Sequence, residues 1–226
     1  NPDQIALCIL GGTPVLRNRR CLAEEILVLT LASTGSYAWR MIQGIIPPHS
    51  PVSEQLCING ILYYLAFIGT NLNESAVMSF DVRSEKLHLI EEPCTFRGFS
   101  KLTNYEGKLA LIFFEKKISG IIGLWVLENA SNKEWSKKTF VLPNLVASTT
   151  DPHFHRFQNF STTDADNGEI IFTPTYMHSS LPSVVYYDMK KDSMRTFEIQ
   201  GKKTEQCVRF LADSVSSAQI ENLMFL

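Results

Sequence analysis

Long apolar runs, paired cysteines and an excess of charge of either sign are all missing from this 226-residue chain. Its longest apolar stretch, Ile61 to Ile68, has the length of a strand and falls well short of the ~20 residues that cross a bilayer as a helix. Nothing at its start reads as a signal peptide. The five cysteines, Cys8, Cys21, Cys57, Cys94 and Cys207, are odd in number and include no Cys-x-x-Cys pair, which favours reduced structural thiols in a cytoplasmic or nuclear protein. With Lys+Arg 21 against Asp+Glu 23, a net charge of −2 gives no general attraction to nucleic acid or to an anionic membrane, so partners must be recognised locally. Catalytic signatures are missing too: there is no Gly-x-Ser-x-Gly elbow, no His-Glu-x-x-His helix and no phosphate-cradling glycine loop. The expectation is a chain that is not an enzyme and takes no cofactor.

What the chain does contain is a cycle, met three times between Asn59 and Gln200. Each cycle is a polar-Gly turn, an apolar run, a loop, a second apolar run ending in an acid, and a third run begun by a bulky residue. The turn glycines are Gly60, Gly107 and Gly168, and the acids Asp81, Glu128 and Asp188 follow them by 21, 21 and 20 residues. The step between glycines is 47 residues, then 61 where a loop is inserted, a period that belongs to repeat architectures.

Within the first cycle Ile61 to Phe67 is continuously apolar and launched by Asn59-Gly60, so it reads as a strand buried on both faces behind a tight turn. Ala76 to Phe80, the polar turn Asp81 to Lys86, and Leu87 to Ile90 complete a β-meander. The second cycle runs Leu109 to Phe114, Ile121 to Leu127 and Trp135 to Leu142; the third runs Ile170 to Phe172, Val184 to Tyr187 and Met194 to Ile199. In that last strand Phe197 and Ile199 alternate with Thr196 and Glu198, the mark of one solvated face. An earlier cycle occupies Ile5 to Leu10, a basic loop at Arg17-Asn-Arg-Arg20, Ile26 to Leu31, the turn Ser33 to Ser36, and Trp39 to Ile42. Trp39, Leu87 and Trp135 are spaced 48 residues apart and are expected to be equivalent core anchors of each last strand. No helix is evident except for a loose helical spacing of Val215, Ala218 and Leu223 in Ser214 to Leu226, a stretch expected to be a tail or closing strand. The expected fold is all-β: a β-propeller-like stack of antiparallel β-meander blades, about four over residues 1–226, forming an incomplete ring whose end sheets expose apolar faces and edges.

Four ordered segments carry a family likeness: Cys57-Ile-Asn-Gly-Ile-Leu-Tyr-Tyr-Leu-Ala66, Ser79-Phe-Asp-Val-Arg-Ser-Glu-Lys86, Leu102-Thr-Asn-Tyr-Glu-Gly-Lys-Leu109, and Leu124-Trp-Val-Leu-Glu-Asn129 with Glu134-Trp-Ser-Lys137. From Trp39 to about Ile199 the chain closely resembles the F-box-associated interaction domain of plant F-box proteins. Before Trp39, Asn1-Pro-Asp3 ahead of Ile5 to Leu10 is similar to that family's Asp-Pro turn and apolar strand. The Trp-Asp and Gly-Gly signatures of commoner propeller repeats are absent from the three cycles between Asn59 and Gln200, as they are from that family. The resemblance implies a substrate-recognition module that captures a target protein. It also implies an upstream F-box, which this chain does not contain, binding a Skp-type adaptor and cullin of a ubiquitin ligase. Because the chain begins at Asn1 and not at Met, it is expected to be an excerpt of a longer polypeptide. The family's motif residues are framework, so they supply no catalytic positions.

Binding residues are therefore sought where the period fails. The insertion carries His153, Phe154, His155, Arg156 and Phe157, and loops on a rigid scaffold commonly hold function, with Phe and Arg suited to anchoring a partner. Arg97 and Phe99 follow another strand exit and are expected on the same rim. The plainer reading, that Phe154 and Phe157 cover the blade beneath, stands beside this one. His153 and His155, with Asp151 adjacent, have the i, i+2 spacing of metal ligands on a strand, but no Cys or Glu completes a set and no metal is expected. Asp164 and Asp166 read as part of the Asn167-Gly168 turn and not as a calcium loop, and Arg17, Arg19 and Arg20 as a solvated hairpin tip. Sequons at Asn73, Asn129 and Asn159 motivate an alternative, a secreted or lumenal propeller of lectin or hydrolase type. A scaffold without ubiquitin transfer is a third reading.

Overall fold

The computed structural model describes residues 4–15, 20–31, 37–42, 47–52, 55–69, 72–93, 100–116, 121–142, 159–162, 169–173, 176–177, 183–198 and 208–209. Every regular element among them is a β-strand. The strands fall into two compact units, one holding the elements up to residue 91 and one the elements from residue 100 onward.

In the first unit, β1 (Gln4–Val15), β2 (Arg20–Leu31) and β3 (Tyr37–Met41) form an antiparallel sheet in that order. Register shifts at Leu10/Gly11 and Gly11/Pro14 accommodate a proline that a regular ladder would not accept. Both long strands outrun the sequence expectation, pairing as far as Val15 with Arg20; Arg17 and Arg19 lie outside the described residues. The second sheet has β4 (His49–Pro51) and β5 (Leu56–Ile58) end to end along β6 (Ile61–Ile68), followed by β7 (Glu74–Asp81) and β8 (Lys86–Glu91). Its middle strands are buried on both faces, as the unbroken apolar run of β6 requires, while β8 is half exposed. Ile26, Val28 and Ile42 from the first sheet pack on Leu62 and Phe80 from the second, with Leu87 and Cys57 at the margin.

The second unit repeats the plan. β9 (Ser100–Tyr105), β10 (Lys108–Lys116), β11 (Ile121–Asn129) and β12 (Glu134–Val141) form a third sheet. β13 (Asn159–Thr162), β14 (Glu169–Thr173), β16 (Ser183–Asp188) and β17 (Ser193–Glu198) form a fourth, and β15 (Tyr176–Met177) pairs with β18 (Val208–Arg209). Ala110, Ile112, Ile122, Leu124 and Val126 of the third sheet make one core with Ile170, Phe172, Val185 and Tyr187 of the fourth.

The repeating unit thus has four strands, one more than the apolar pattern shows. The strand before each glycine turn is short or polar, as in Leu56–Ile58, Ser100–Tyr105 and Asn159–Thr162, so hydrophobic periodicity passes over it. Two turns close these extra hairpins in the same way. Asn59 (φ 51°) with Gly60 (φ 77°), and Glu106 (φ 52°) with Gly107 (φ 77°), put both central residues in the left-handed region, the type I′ geometry that suits strand twist. Asn104 Oδ1 accepts the Gly107 N–H at 3.0 Å. Glutamate is a poor occupant of that φ, so Glu106→Asn is expected to stabilise the protein by about 0.5–1 kcal/mol, read as an increase in the denaturation midpoint with unchanged m.

The wider turns share a second design. Asp81 Oδ1 accepts the N–H groups of Arg83 (2.9 Å) and Ser84 (3.3 Å), and Asp188 Oδ1 accepts those of Lys190 (2.9 Å) and Lys191 (3.0 Å). In the third sheet Asn129 takes the role, accepting from Ser131 at 2.9 Å and Asn132 at 3.2 Å. Glu128, aligned with the other acids by spacing alone, is the extra residue of an irregularity between Leu127 and Asn129 and instead bonds Lys108 and Ser136. Four residues beyond each cap the chain turns through positive φ at Glu85, Lys133 and Asp192. Hydrogen bonds from Ser84 and from backbone N–H groups hold the Asp81 carboxyl below the usual range, and the Lys191 N–H does so first for Asp188.

The proposed anchors need correction. Trp39 is 45% exposed and Trp135 half-buried, whereas Leu87 packs against the core clusters of its unit. Each stands on the last strand of its sheet, where burial depends on a neighbouring sheet. Phe197 also departs from expectation. It is 52% exposed, on the face of the fourth sheet away from the core, and Met194 supplies the inward contact of β17.

Candidate functional site

The residues chosen from the sequence lie in connections between sheets. Arg97 and Phe99 belong to the segment between β8 and β9, and His153, Phe154, His155, Arg156 and Phe157 to the segment between β12 and β13. Both segments leave the end of a sheet's last strand and lead to the first strand of the next, so they are equivalent in the repeat. All seven residues lie outside the described ones, as do Asp151, Asp164 and Asp166.

The described residues that frame these connections carry polar chemistry of their own. Glu92 directly follows β8, and Ser75 Oγ donates to its Oε2 at 2.8 Å while its Oε1 is buried without a hydrogen-bond partner. Burial pushes this carboxyl up from the usual range, partly offset by Ser75. Its contribution to stability is therefore fully present below the unfolded-state value and is lost as pH rises through the folded one. Beneath it in the same sheet, His49 and Tyr64 are fully buried. His49 Nδ1 lies 2.6 Å from the Pro47 carbonyl oxygen, an acceptor only, so Nδ1 carries the proton and donates; Nε2 then accepts from the Tyr64 hydroxyl at 2.9 Å. Burial lowers the imidazole pKa and raises that of the phenol. Both ring nitrogens are committed, which makes this pair a core fastening and leaves no lone pair to act as a base.

The cation–aromatic contacts among the described residues of the second unit include Lys137, 5.9 Å from the centre of the Trp125 ring, and two further groups. Arg195 stacks over Tyr186 (4.9 Å) and Phe197 (5.7 Å), bonds Glu169 at 2.8 Å, and Tyr186 meets Phe197 edge-on at 5.4 Å. Lys138 lies 4.4 Å from the centre of the Tyr105 ring and bonds its hydroxyl at 3.2 Å. Sequence reading missed the Arg195 group because Tyr186 and Arg195 meet by cross-strand pairing, and the Lys138 pair because Tyr105 and Lys138 come from β9 and β12, which are not adjacent in the sheet.

Among the described residues no group of three or more His, Cys, Asp or Glu side chains is arranged to hold a metal ion. Cys57 is a reduced, half-buried thiol. The Asn129 sequon has a structural use, since its side-chain oxygen caps the turn that contains Ser131.

Comparison with known proteins fits this framework. The F-box associated beta propeller domain matches residues 13–223. Three curated relatives, all from Arabidopsis thaliana, align over most of the chain. Putative F-box protein At4g38870 is 67% identical over 220 residues, covering 97% of this chain and 51% of that protein. F-box protein At2g21930 is 41% identical over 236 residues, covering 99% and 56%, and F-box protein At1g30790 is 35% identical over 222 residues, covering 88% and 54%. The chain thus spans about half the length of the curated relatives it matches. With a four-strand repeat, a domain match from end to end and relatives of this identity, the chain belongs to the F-box-associated β-propeller family of plant F-box proteins.

Proposed function

We propose that this chain is the target-binding part of an F-box protein, presenting a protein substrate to a cullin-based ubiquitin ligase through a Skp-type adaptor held by an F-box elsewhere in the polypeptide. The observation that carries the reading is the domain match over residues 13–223 together with relatives that are named F-box proteins. In this role the chain does no chemistry: it needs no cofactor or metal, binds neither nucleic acid nor membrane, and works in the cytoplasm or nucleus.

The target-contacting residues are assigned to the two equivalent connections, Arg97 and Phe99 in one and His153, Phe154, Arg156 and Phe157 in the other. Rigid sheets with self-capped turns suit this division between a fixed frame and variable connections. The test uses the full-length protein, captured from plant cells with and without proteasome inhibition. The Skp-type adaptor should co-purify, and a protein enriched under inhibition should be lost by about tenfold or more on Phe154→Ala/Phe157→Ala, with adaptor binding unchanged. Failure to co-purify the adaptor would overturn the ligase role. Unchanged capture by the double variant would overturn the site.

A further inference from the structure

The first strand of the second sheet is broken in two. Where the third sheet has the single strand β9, the second has β4 and β5 in succession along β6, β4 ending opposite Ala66 and β5 beginning opposite Tyr63. The two halves are held differently. β5 buries the apolar side chains of Leu56 and Ile58. The segment 47–52 includes Pro47, Pro48 and Pro51, which have no N–H to give a ladder, and its Pro48 and Val52 are exposed. What it buries is polar: His49 and Ser50. Little apolar surface therefore reaches water when this half leaves β6, which places its opening at the low end of the free energies that local openings span.

This weakly anchored half carries a fully buried imidazole. One of its two hydrogen bonds stays within the segment, to the Pro47 carbonyl; the other, accepted by Nε2 from the Tyr64 hydroxyl at 2.9 Å, ties the segment to β6. A proton on Nε2 occupies the lone pair that accepts this bond and puts a positive charge in a site closed to water. Tyr64 is the titratable group that meets the ring from β6. On the strands around it the charged residues are Arg20, Glu24 and Glu25 of β2, which lies beside β4, Glu74 of β7 and Glu91 of β8; Glu25, Glu74 and Glu91 are exposed. Burial is the leading influence on the imidazole and lowers its pKa, with the Pro47 carbonyl opposing. The lowered value gives the sign: the closed segment is favoured above the free-imidazole value of about 6.5, and opening gains as pH falls below it.

We infer that residues 47–52 form an acid-released strap: protonation of His49 frees β4 from β6 while β5 and the other strands of the sheet stay paired. Release lengthens the connection between the first and second sheets from residues 42–48 to residues 42–55. That connection runs from the last strand of one sheet to the first of the next, as do the two assigned to target contact. Only this link to target binding rests on the proposed function; the release itself does not.

Amide exchange resolved to single residues on the full-length protein tests it, with each rate expressed against an unstructured peptide at the same pH. The reporter is the Val52 N–H, which donates to the Leu65 carbonyl at 2.9 Å; the control is the Val82 N–H, which donates to the Gly60 carbonyl at 3.1 Å at the far end of the same sheet. Protection of Val52 should fall about tenfold or more between about pH 7.5 and about pH 5, over which a released imidazole takes up its proton, while Val82 and the β5 amides keep theirs. In His49→Gln the Val52 protection should not change with pH. Unchanged Val52 protection in the natural protein would overturn the inference. So would an equal fall at Val52, Val82 and β5, which would mean that the whole sheet opens, or the same fall in His49→Gln, which would assign the proton to another group. The comparison of Val52 with Val82 needs no variant and decides the matter even where His49→Gln does not fold.

Discussion

Truncating Tyr64 to alanine is expected to cost about 3–5 kcal/mol of unfolding free energy, because it opens a cavity in a fully buried site and orphans its histidine partner. Tyr64→Phe isolates the second effect. The ring still fills the space, but the unprotonated Nε2 of His49 loses its donor, at a cost of about 1–3 kcal/mol. Chemical denaturation of the full-length protein would read both, and a loss for Tyr64→Phe within error of zero would show that the 2.9 Å contact carries no net stability. The pair also sets a pH dependence. Burial holds the folded-state His49 pKa below its unfolded value of about 6.5, so the unfolded chain binds the proton first as pH falls. Stability is complete above that value and declines from about pH 6.5 down to the folded pKa. His49→Gln should remove this part of the profile while lowering stability at pH 8, where histidine is neutral in both states.

Gly123 is the other position where one substitution should matter. It lies in the middle of β11, directly opposite Phe113, and a methyl group added to it would sit 2.2–2.7 Å from the Phe113 ring. The aromatic ring fills the space that the missing side chain leaves, a cross-strand arrangement that recovers apolar contact at a strand glycine. Gly123→Ala is expected to destabilise by about 1–3 kcal/mol through overpacking, even though alanine has the better intrinsic propensity. Phe113→Ala alone loses packing on the same scale. The double variant should be better than the sum of the two by about 0.5–3 kcal/mol, since each change relieves the other. Additive losses would mean that the ring turns aside at no cost.

Much of the frame was readable without coordinates, and the reasons it was not wholly so are specific. Strands buried on both faces advertise themselves, which is why β6, β7, β10 and β11 fall where the apolar runs lie. A strand such as Ser100–Tyr105 does not, because its place in the sheet comes from the type I′ turn behind it and from the long strand it borders. Equal spacing misassigned Glu128, since a single bulged residue shifts the count by one and passes the cap to Asn129. Trp39 was correctly phased with Leu87 but wrongly buried: phase says which face a side chain takes, and only the neighbouring sheet decides whether water reaches it. The Tyr186–Arg195–Phe197 group was not legible because Tyr186 joins the β17 pair Arg195 and Phe197 only across the strand pairing.

The self-capped turns also bear on how such a chain folds and diversifies. Asp81, Asn129 and Asp188 each close a hairpin with bonds made within three residues of the cap, so strand register is set over short sequence separations. The hairpin contacts these turns close are therefore of low sequence separation, the kind that costs least loop-closure entropy. Once register is fixed locally, the connections between sheets face little more than loop-closure entropy, and doubling their length costs only about 0.6 kcal/mol. A connection such as the one between β12 and β13 can then lengthen and change composition with the sheets on either side undisturbed.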